Sequence, residues 1–73
     1  MEELLEMLTE NYPSIDFENE TELVDGGILD SAEMVAIIAQ IEEMFDISVT
    51  MEYIQPKYFN SVESMWEMIE ELR

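Results

Sequence analysis

Apolar residues recur at helical spacing in three stretches of the chain, and each stretch predicts an amphipathic helix. The first extends from Glu2 to about Tyr12 and ends there because Pro13 cannot continue a helix. The second, from Asp30 to Asp46, has the clearest pattern in the chain. The apolar positions of these two helices are Leu4, Leu5, Leu8 and Tyr12, then Met34, Ile37, Ile38, Ile41, Met44 and Phe45.

The third stretch begins at Asn60 or Ser61 and ends at Leu72. The segment just before it, "QPKYF", predicts a single short helical turn with Pro56 in its first position. Strands have almost no support in the pattern. The chain is therefore predicted to be all-α, a small four-helix bundle of three main helices and one short helix. The apolar stripe of the last helix consists of Val62, Met65, Trp66, Ile69 and Leu72.

The connections between these helices carry apolar residues without a sustained period. Ser14 to Gly27 is predicted to be a long loop that its apolar side chains pin to the core. The residues that follow the second helix are predicted to anchor another loop in the same way. The anchors of the two loops are Ile15, Phe17, Leu23 and Val24, then Ile47, Val49, Tyr53 and Ile54.

Two helix starts have the form of a capping box, in which a cap residue and an acidic residue three positions later satisfy each other's backbone amides. Asp30 with Glu33 forms the first, and Asn60 with Glu63 forms the second. The first follows two glycines and two aliphatic residues in "GGILDSAEM", and it places Ser31 in the first turn of the second helix.

Ser31 is predicted to be exposed at the rim of the core. At about 100° per residue, it lies roughly 80° from the centre of the apolar face of its helix. Other residues in the same direction form a mildly apolar strip that is edged with carboxylates. They are Val35, Ala39, Glu42 and Asp46.

The length of 73 residues predicts a single domain over residues 1–73. At about this size folding buries only roughly 60% of the surface of the unfolded chain, so no deep catalytic cleft is expected. The absence of cysteine fits a reducing compartment, and neither a signal peptide nor a membrane-spanning run is visible. We therefore expect a cytoplasmic, monomeric protein that does not insert into a membrane.

The charge of the chain is extreme. Lys57 and Arg73 are the only basic residues against 19 acidic ones, and the formal net charge is -17 at pH 7. Nucleic acids and anionic membranes repel such a chain, so its partners are expected to carry basic patches. The chain also repels itself, and its stability is expected to rise with salt or divalent cations. A hydrophobic content of 48% argues against disorder.

The chemistry available to Ser31 is narrow. Aspartate and serine at a helix start are commonly simple caps. A nucleophilic serine needs a base, but the chain has no histidine and Lys57 is distant in sequence, which argues against a small hydrolase. The N-terminal end of a helix has free amides and a partial positive charge, so it tolerates a phosphate attached to the hydroxyl. Ser31 is thus either a structural residue or one that another enzyme modifies.

The residues around Ser31 resemble the acyl carrier proteins. Their hallmark is Asp-Ser-Leu at the start of the second helix of a four-helix bundle, and this chain has Asp30, Ser31 and Ala32 there. The resemblance covers essentially the whole chain, through "DGGILDS", "IEEMFDISV" and "FNSVESMWEMIEEL". It implies that Ser31 carries 4'-phosphopantetheine. It also implies that Asp30 caps the helix and faces the modifying transferase and its magnesium ion.

The function implied by this resemblance is that of a non-catalytic carrier. An acyl or aminoacyl group would be held as a thioester on the arm in fatty-acid, polyketide, peptide or D-alanyl-transfer biosynthesis. The implied partners are a phosphopantetheinyl transferase, an acyl or aminoacyl ligase or synthase, and acyltransferases with basic docking patches. The implied docking residues are Glu33, Val35, Ala39, Glu42, Glu43 and Asp46.

Two positions depart from the common pattern of the family. Ala32 replaces the usual leucine, and Ala36 stands where many fatty-acid carriers have a glutamate. "GILDS" and "PKYFNSVESMWEMI" are more similar to the D-alanyl carriers and to freestanding carriers of specialised pathways. The alternative is an acidic binding module or nucleic-acid mimic without covalent modification. No metal site is predicted, because Asp25 and Asp30 do not match a calcium-binding loop.

Overall fold

Four α-helices and one 3₁₀ turn follow each other along the chain, and no strand is present, as the apolar pattern predicts. The computed structural model describes residues 1–73. No helix combines the length and the apolar character that crossing a membrane requires. The elements are α1 (Glu2–Asn11), α2 (Ser31–Phe45), the 3₁₀ turn (Met51–Tyr53), α3 (Pro56–Phe59) and α4 (Val62–Leu72).

The core is built entirely from hydrophobic side chains, and every α-helix contributes to it. α3 and α1 both pack against α4. The short helix α3 inserts Phe59, which is fully buried, and the long loop adds Phe17, Leu23 and Leu29. The predicted stripes are thus largely confirmed, and the core forms one cluster that joins the helices to the loop.

Three side chains differ from the prediction. Met44 is 42% exposed, whereas its neighbour Phe45 packs against Trp66 with 5.7 Å between ring centroids. Ile54 is 38% exposed, whereas Tyr53, at the end of the 3₁₀ turn, is half-buried. Met68 is buried although it is not in the predicted stripe, since α4 is covered on a wider face than one stripe.

The second predicted capping box is wrong, because Asn60 has another role. Ser61 caps α4, and its hydroxyl accepts a hydrogen bond from the amide of Ser64. The Asn60 side chain accepts hydrogen bonds from the amides of Val24 at 3.0 Å and Asp25 at 2.9 Å. It also donates to the Asp25 carboxylate at 2.8 Å. Asn60 therefore ties the long loop to the junction between α3 and α4.

We expect Asn60→Ala to lower the free energy of unfolding by about 2 kcal/mol, since it leaves two loop amides without their acceptor. Asn60→Asp keeps the acceptor but sets a second carboxylate against Asp25, so its loss should shrink as salt is added. Urea unfolding measures both variants. Asn19→Ala is the control: its bond to Asp16 is fully exposed, so a change within about 0.5 kcal/mol is expected. Equal losses at both asparagines would contradict the assignment.

The surroundings of Tyr53 raise the pKa of its phenol. Partial burial raises the pKa of Tyr53 above its ordinary value of 10.0, and so does the carboxylate of Glu71, which accepts a hydrogen bond from the Tyr53 hydroxyl at 3.3 Å. Glu52 and Tyr58 act in the same direction. A raised pKa in the folded state means that folding favours the neutral phenol.

This contribution to stability is complete below the pKa of an unfolded tyrosine and is lost as pH rises through the higher folded value. We expect the thermal midpoint of the protein to fall above about pH 10. Tyr53→Phe should show a smaller fall over the same range. A midpoint that responds to alkali identically in both proteins would contradict the role of Tyr53.

Candidate functional site

The start of α2 is fixed by two buried leucines that stand on either side of the glycine pair. The amide of Leu29 donates to the carbonyl of Leu23 at 2.8 Å, and both side chains lie in the core. Leu23 itself is held through its amide, which donates to the carbonyl of Asn60 at 2.9 Å. Since Leu29 points inward, the residues that follow it begin α2 at the surface.

Each glycine of the pair is required for a different reason. Gly27 has φ of 78°, in the left-handed region that side chains disfavour. Gly26 approaches the preceding turn so closely that an added Cβ would lie 2.5 Å from the carbonyl oxygen of Glu22. The pair therefore allows the chain to reverse sharply between Leu23 and Leu29, which brings the start of α2 beside the loop.

Asp30 caps α2, as predicted. Its backbone is extended, its carboxylate accepts the amide of Glu33 at 2.8 Å, and its carbonyl accepts the amide of Met34 at 2.9 Å. The return bond from the Asp30 amide to the Glu33 side chain is not formed, so only half of the predicted capping box is present. Two carboxylates at one helix start repel each other, whereas the common form of the box has a neutral cap.

Ser31 is exposed in the first turn of α2, as predicted. No side-chain hydrogen bond in the chain uses its hydroxyl. Asp30 accepts hydrogen bonds from the amides of Glu33 and Met34, but the amides of Ser31 and Ala32 have no partner in the chain. The site therefore combines a free hydroxyl with free backbone donors at the positive end of a helix dipole.

The predicted apolar strip beside Ser31 is present on α2. Val35 is 62% exposed, and Ala39 is exposed one turn further along the same face. A third exposed apolar group, which the apolar pattern does not predict, is Ile28, 36% exposed and three residues before the serine. Ile28 lies in a loop without periodicity, so only its place beside the glycine pair could have indicated it.

The acidic residues proposed for docking divide into two groups. Glu42 is half-buried, and its carboxylate accepts the amide of Val49 at 2.8 Å. Asp46 ends the helix in the left-handed conformation, with φ of 54°. Only Glu42 therefore uses its carboxylate within the fold. Asp46 and Glu43 are exposed and Glu33 is half-exposed, so these three offer their charge to a partner more freely.

The chain contains no group of three or more acidic, histidine or cysteine side chains arranged to hold a metal ion. What the structure brings together is Ser31, its free amides, and the exposed apolar residues on one face of α2. Comparisons of the chain with protein-family models, with curated proteins and with solved structures find no match.

Proposed function

We propose that this protein is an acyl or aminoacyl carrier, modified on Ser31 by a 4'-phosphopantetheine arm. The observation that carries this proposal is the state of the Ser31 hydroxyl: it is exposed and unbonded, and it lies beside two unused amides at a helix start. A serine that served only to cap the helix would use its hydroxyl to accept a hydrogen bond from a backbone amide, but the Asp30 carboxylate already does so.

The residues present fit the phosphate end of such an arm. The amides of Ser31 and Ala32 can donate to phosphate oxygens, and the helix dipole favours a negative charge at this end. Bound there, the arm supplies a terminal thiol that holds a carboxylic acid as a thioester. The chain's own contribution is to present the hydroxyl to a transferase and to keep the attached group at the surface.

Partner enzymes in this proposal dock on the exposed face of α2. Val35 and Ala39 offer an apolar contact, and Glu43 and Glu33 offer charge to basic patches. Ala32 and Ala36 make this face less apolar beside the arm and less acidic than the usual pattern of fatty-acid carriers. This composition favours a carrier of a specialised or D-alanyl-transfer pathway, served by a dedicated ligase.

The test is covalent modification in solution. The purified protein is incubated with coenzyme A, magnesium and a broad-specificity phosphopantetheinyl transferase, and its intact mass is recorded. Gain of one phosphopantetheine by the wild type supports the proposal. No gain with the broad-specificity transferase or with transferases dedicated to specialised carriers, while a control carrier is modified in the same tube, would favour the acidic binding module instead.

A further inference from the structure

A groove runs between α1 and the loop that follows it, and no residue of α2 lines it. Its volume is about 560 Å³, within the range of about 300–1,000 Å³ that is typical of protein ligand sites. Its floor is apolar, made by Leu5 and Ile15, which are half-buried, and by Phe17, which is 3% exposed. The groove is therefore separate from the Ser31 face and has an apolar base of its own.

The sides of this α1 groove are acidic. Glu2, Glu6 and Glu10 follow one another at intervals of four residues, just over one helical turn and about 6 Å along the axis of α1. Asp16 and Glu18 line it from the loop. All five side chains are exposed, so they retain their charge at the rim while the floor stays apolar.

No lysine or arginine side chain lines the groove. The two basic residues of the chain are engaged elsewhere: Lys57 lies over the Tyr58 ring, and the Arg73 guanidinium lies 5.7 Å from the centre of the Trp66 ring. The carboxylates of the groove therefore have no basic side chain beside them. Their mutual repulsion would fall if a cationic partner lay beside them.

The α1 groove continues past Phe17 toward the start of α4. A second cavity of about 180 Å³ shares Leu5, Phe17 and Glu18 with it and reaches Ser61 and Val62. Apart from Thr21 and Ser61, this cavity too is lined by acidic and apolar residues, and no lysine or arginine side chain lines it. The combined surface is thus elongated, which suits a length of polypeptide better than a compact ion.

We infer that the α1 groove binds a basic amphipathic segment of a partner protein. An apolar side chain of that segment covers the floor, and its lysine or arginine side chains lie beside the carboxylates on both sides. A small polyamine would use the acidic rim but leave the apolar floor in water. A purely apolar helix would cover the floor but strip water from carboxylates that it cannot pair.

The probe is a synthetic peptide of about 14 residues, in which leucines are spaced to share one face of a helix and lysines occupy the other face. A second peptide has the same composition in a scrambled order, so it has equal charge without an apolar face. Titration calorimetry at about 0.1 M salt measures both affinities. We expect the amphipathic peptide to bind more tightly, with NMR shifts concentrated on Leu5, Ile15 and Phe17.

Two double variants distinguish binding in the α1 groove from attraction to the net charge of the protein. Glu6→Gln with Glu10→Gln removes two charges from the rim, and Glu67→Gln with Glu70→Gln removes two exposed charges from α4. The groove variant loses two exposed ion pairs with the lysines of the peptide, so we expect its affinity to fall about three- to tenfold. The α4 variant should change affinity less than about twofold, because its charges act only at long range.

Equal losses in the two double variants, or equal binding of the two peptides, would overturn the inference, since attraction to overall charge would then explain the binding. Shifts confined to α2 would overturn it as well and would point to the Ser31 face. Ser31→Ala is expected to bind the amphipathic peptide like the wild type. Failure of the carrier proposal therefore leaves this result unchanged, and the two can fail separately.

Discussion

Ser31→Ala is expected to abolish the mass gain that the wild type shows with coenzyme A, magnesium and a phosphopantetheinyl transferase. The hydroxyl oxygen is the atom to which the phosphate would be joined, so the expected effect is all or none. The variant should fold normally, since Ser31 is exposed and its hydroxyl makes no hydrogen bond. Intact-mass spectrometry measures the outcome, and circular dichroism checks the fold.

Ser48→Ala is the matched control for this result. Ser48 is also exposed, but it lies in an irregular segment between α2 and the 3₁₀ turn rather than at a helix start. The control variant should gain one phosphopantetheine like the wild type. Modification of the wild type at any other serine, shown by a gain that survives in Ser31→Ala, would contradict the assignment of the site.

Asp30→Asn separates the cap from the charge at this helix start. Asparagine caps a helix about as well as aspartate, so the accepted bond from the Glu33 amide should persist and stability should change little. The resemblance to carrier proteins implies that the Asp30 carboxylate also faces the transferase and its magnesium. Under the proposal, Asp30→Asn should therefore be modified more slowly although it remains folded.

Ala32→Leu tests whether the departure from the family pattern matters. Ala32 is exposed, so the larger side chain has room and adds apolar surface beside the serine. If a broad-specificity transferase modifies the wild type slowly and Ala32→Leu faster, the small residue narrows recognition. If neither protein is modified while the control carrier is, the broad-specificity transferase fails to modify this chain for a reason other than the small side chain of Ala32.

The helices could be predicted because their signals are local. An apolar residue at every third or fourth position identifies a face, and Pro13, Asp30 and Pro56 mark where helices end or begin. The observed bounds of α1, α2 and α4 agree with the predicted ones to within one or two residues. The exposure of Ser31 followed from the same arithmetic, because the angle between two helical positions depends only on their spacing.

What could not be predicted depends on contacts between distant parts of the chain. The role of Asn60 rests on amides 35 and 36 residues away, and nothing near it in sequence indicates them. The resemblance to carrier proteins implies that Glu42 is a docking residue, but its carboxylate accepts a hydrogen bond from the amide of Val49. The α1 groove likewise depends on how the loop lies against α1, which has no periodic signal.

The second large effect is expected at Phe59. The ring is fully buried, and it is the contribution of the four-residue helix α3 to the core. Phe59→Ala should lower the free energy of unfolding by about 3–5 kcal/mol through lost burial and the cavity that remains. A domain of 73 residues has a total stability of about 4–11 kcal/mol, and self-repulsion at low salt favours the lower end, where this loss removes most of it.

Because of the net charge, the stability of Phe59→Ala should depend strongly on salt concentration. The longest extent of the molecule is 28 Å, and at about 0.01 M salt the Debye length is about 30 Å, so every carboxylate acts on every other. At about 1 M salt the Debye length is about 3 Å, and repulsion between separate charges is largely screened. We therefore expect Phe59→Ala to be unfolded at the lower concentration and helical again at the higher one.

Circular dichroism against sodium chloride concentration measures this rescue, and Phe59→Leu is the control for the cavity. Leucine fills part of the space, so about 1–2 kcal/mol should be lost and the protein should stay folded at low salt.

Salt also strengthens apolar burial, so screening must be separated from that effect. Adding Glu67→Gln and Glu70→Gln to Phe59→Ala removes two exposed charges without salt. If self-repulsion sets the threshold, this triple variant should refold at a lower salt concentration than Phe59→Ala alone; an unchanged threshold would assign the rescue to burial.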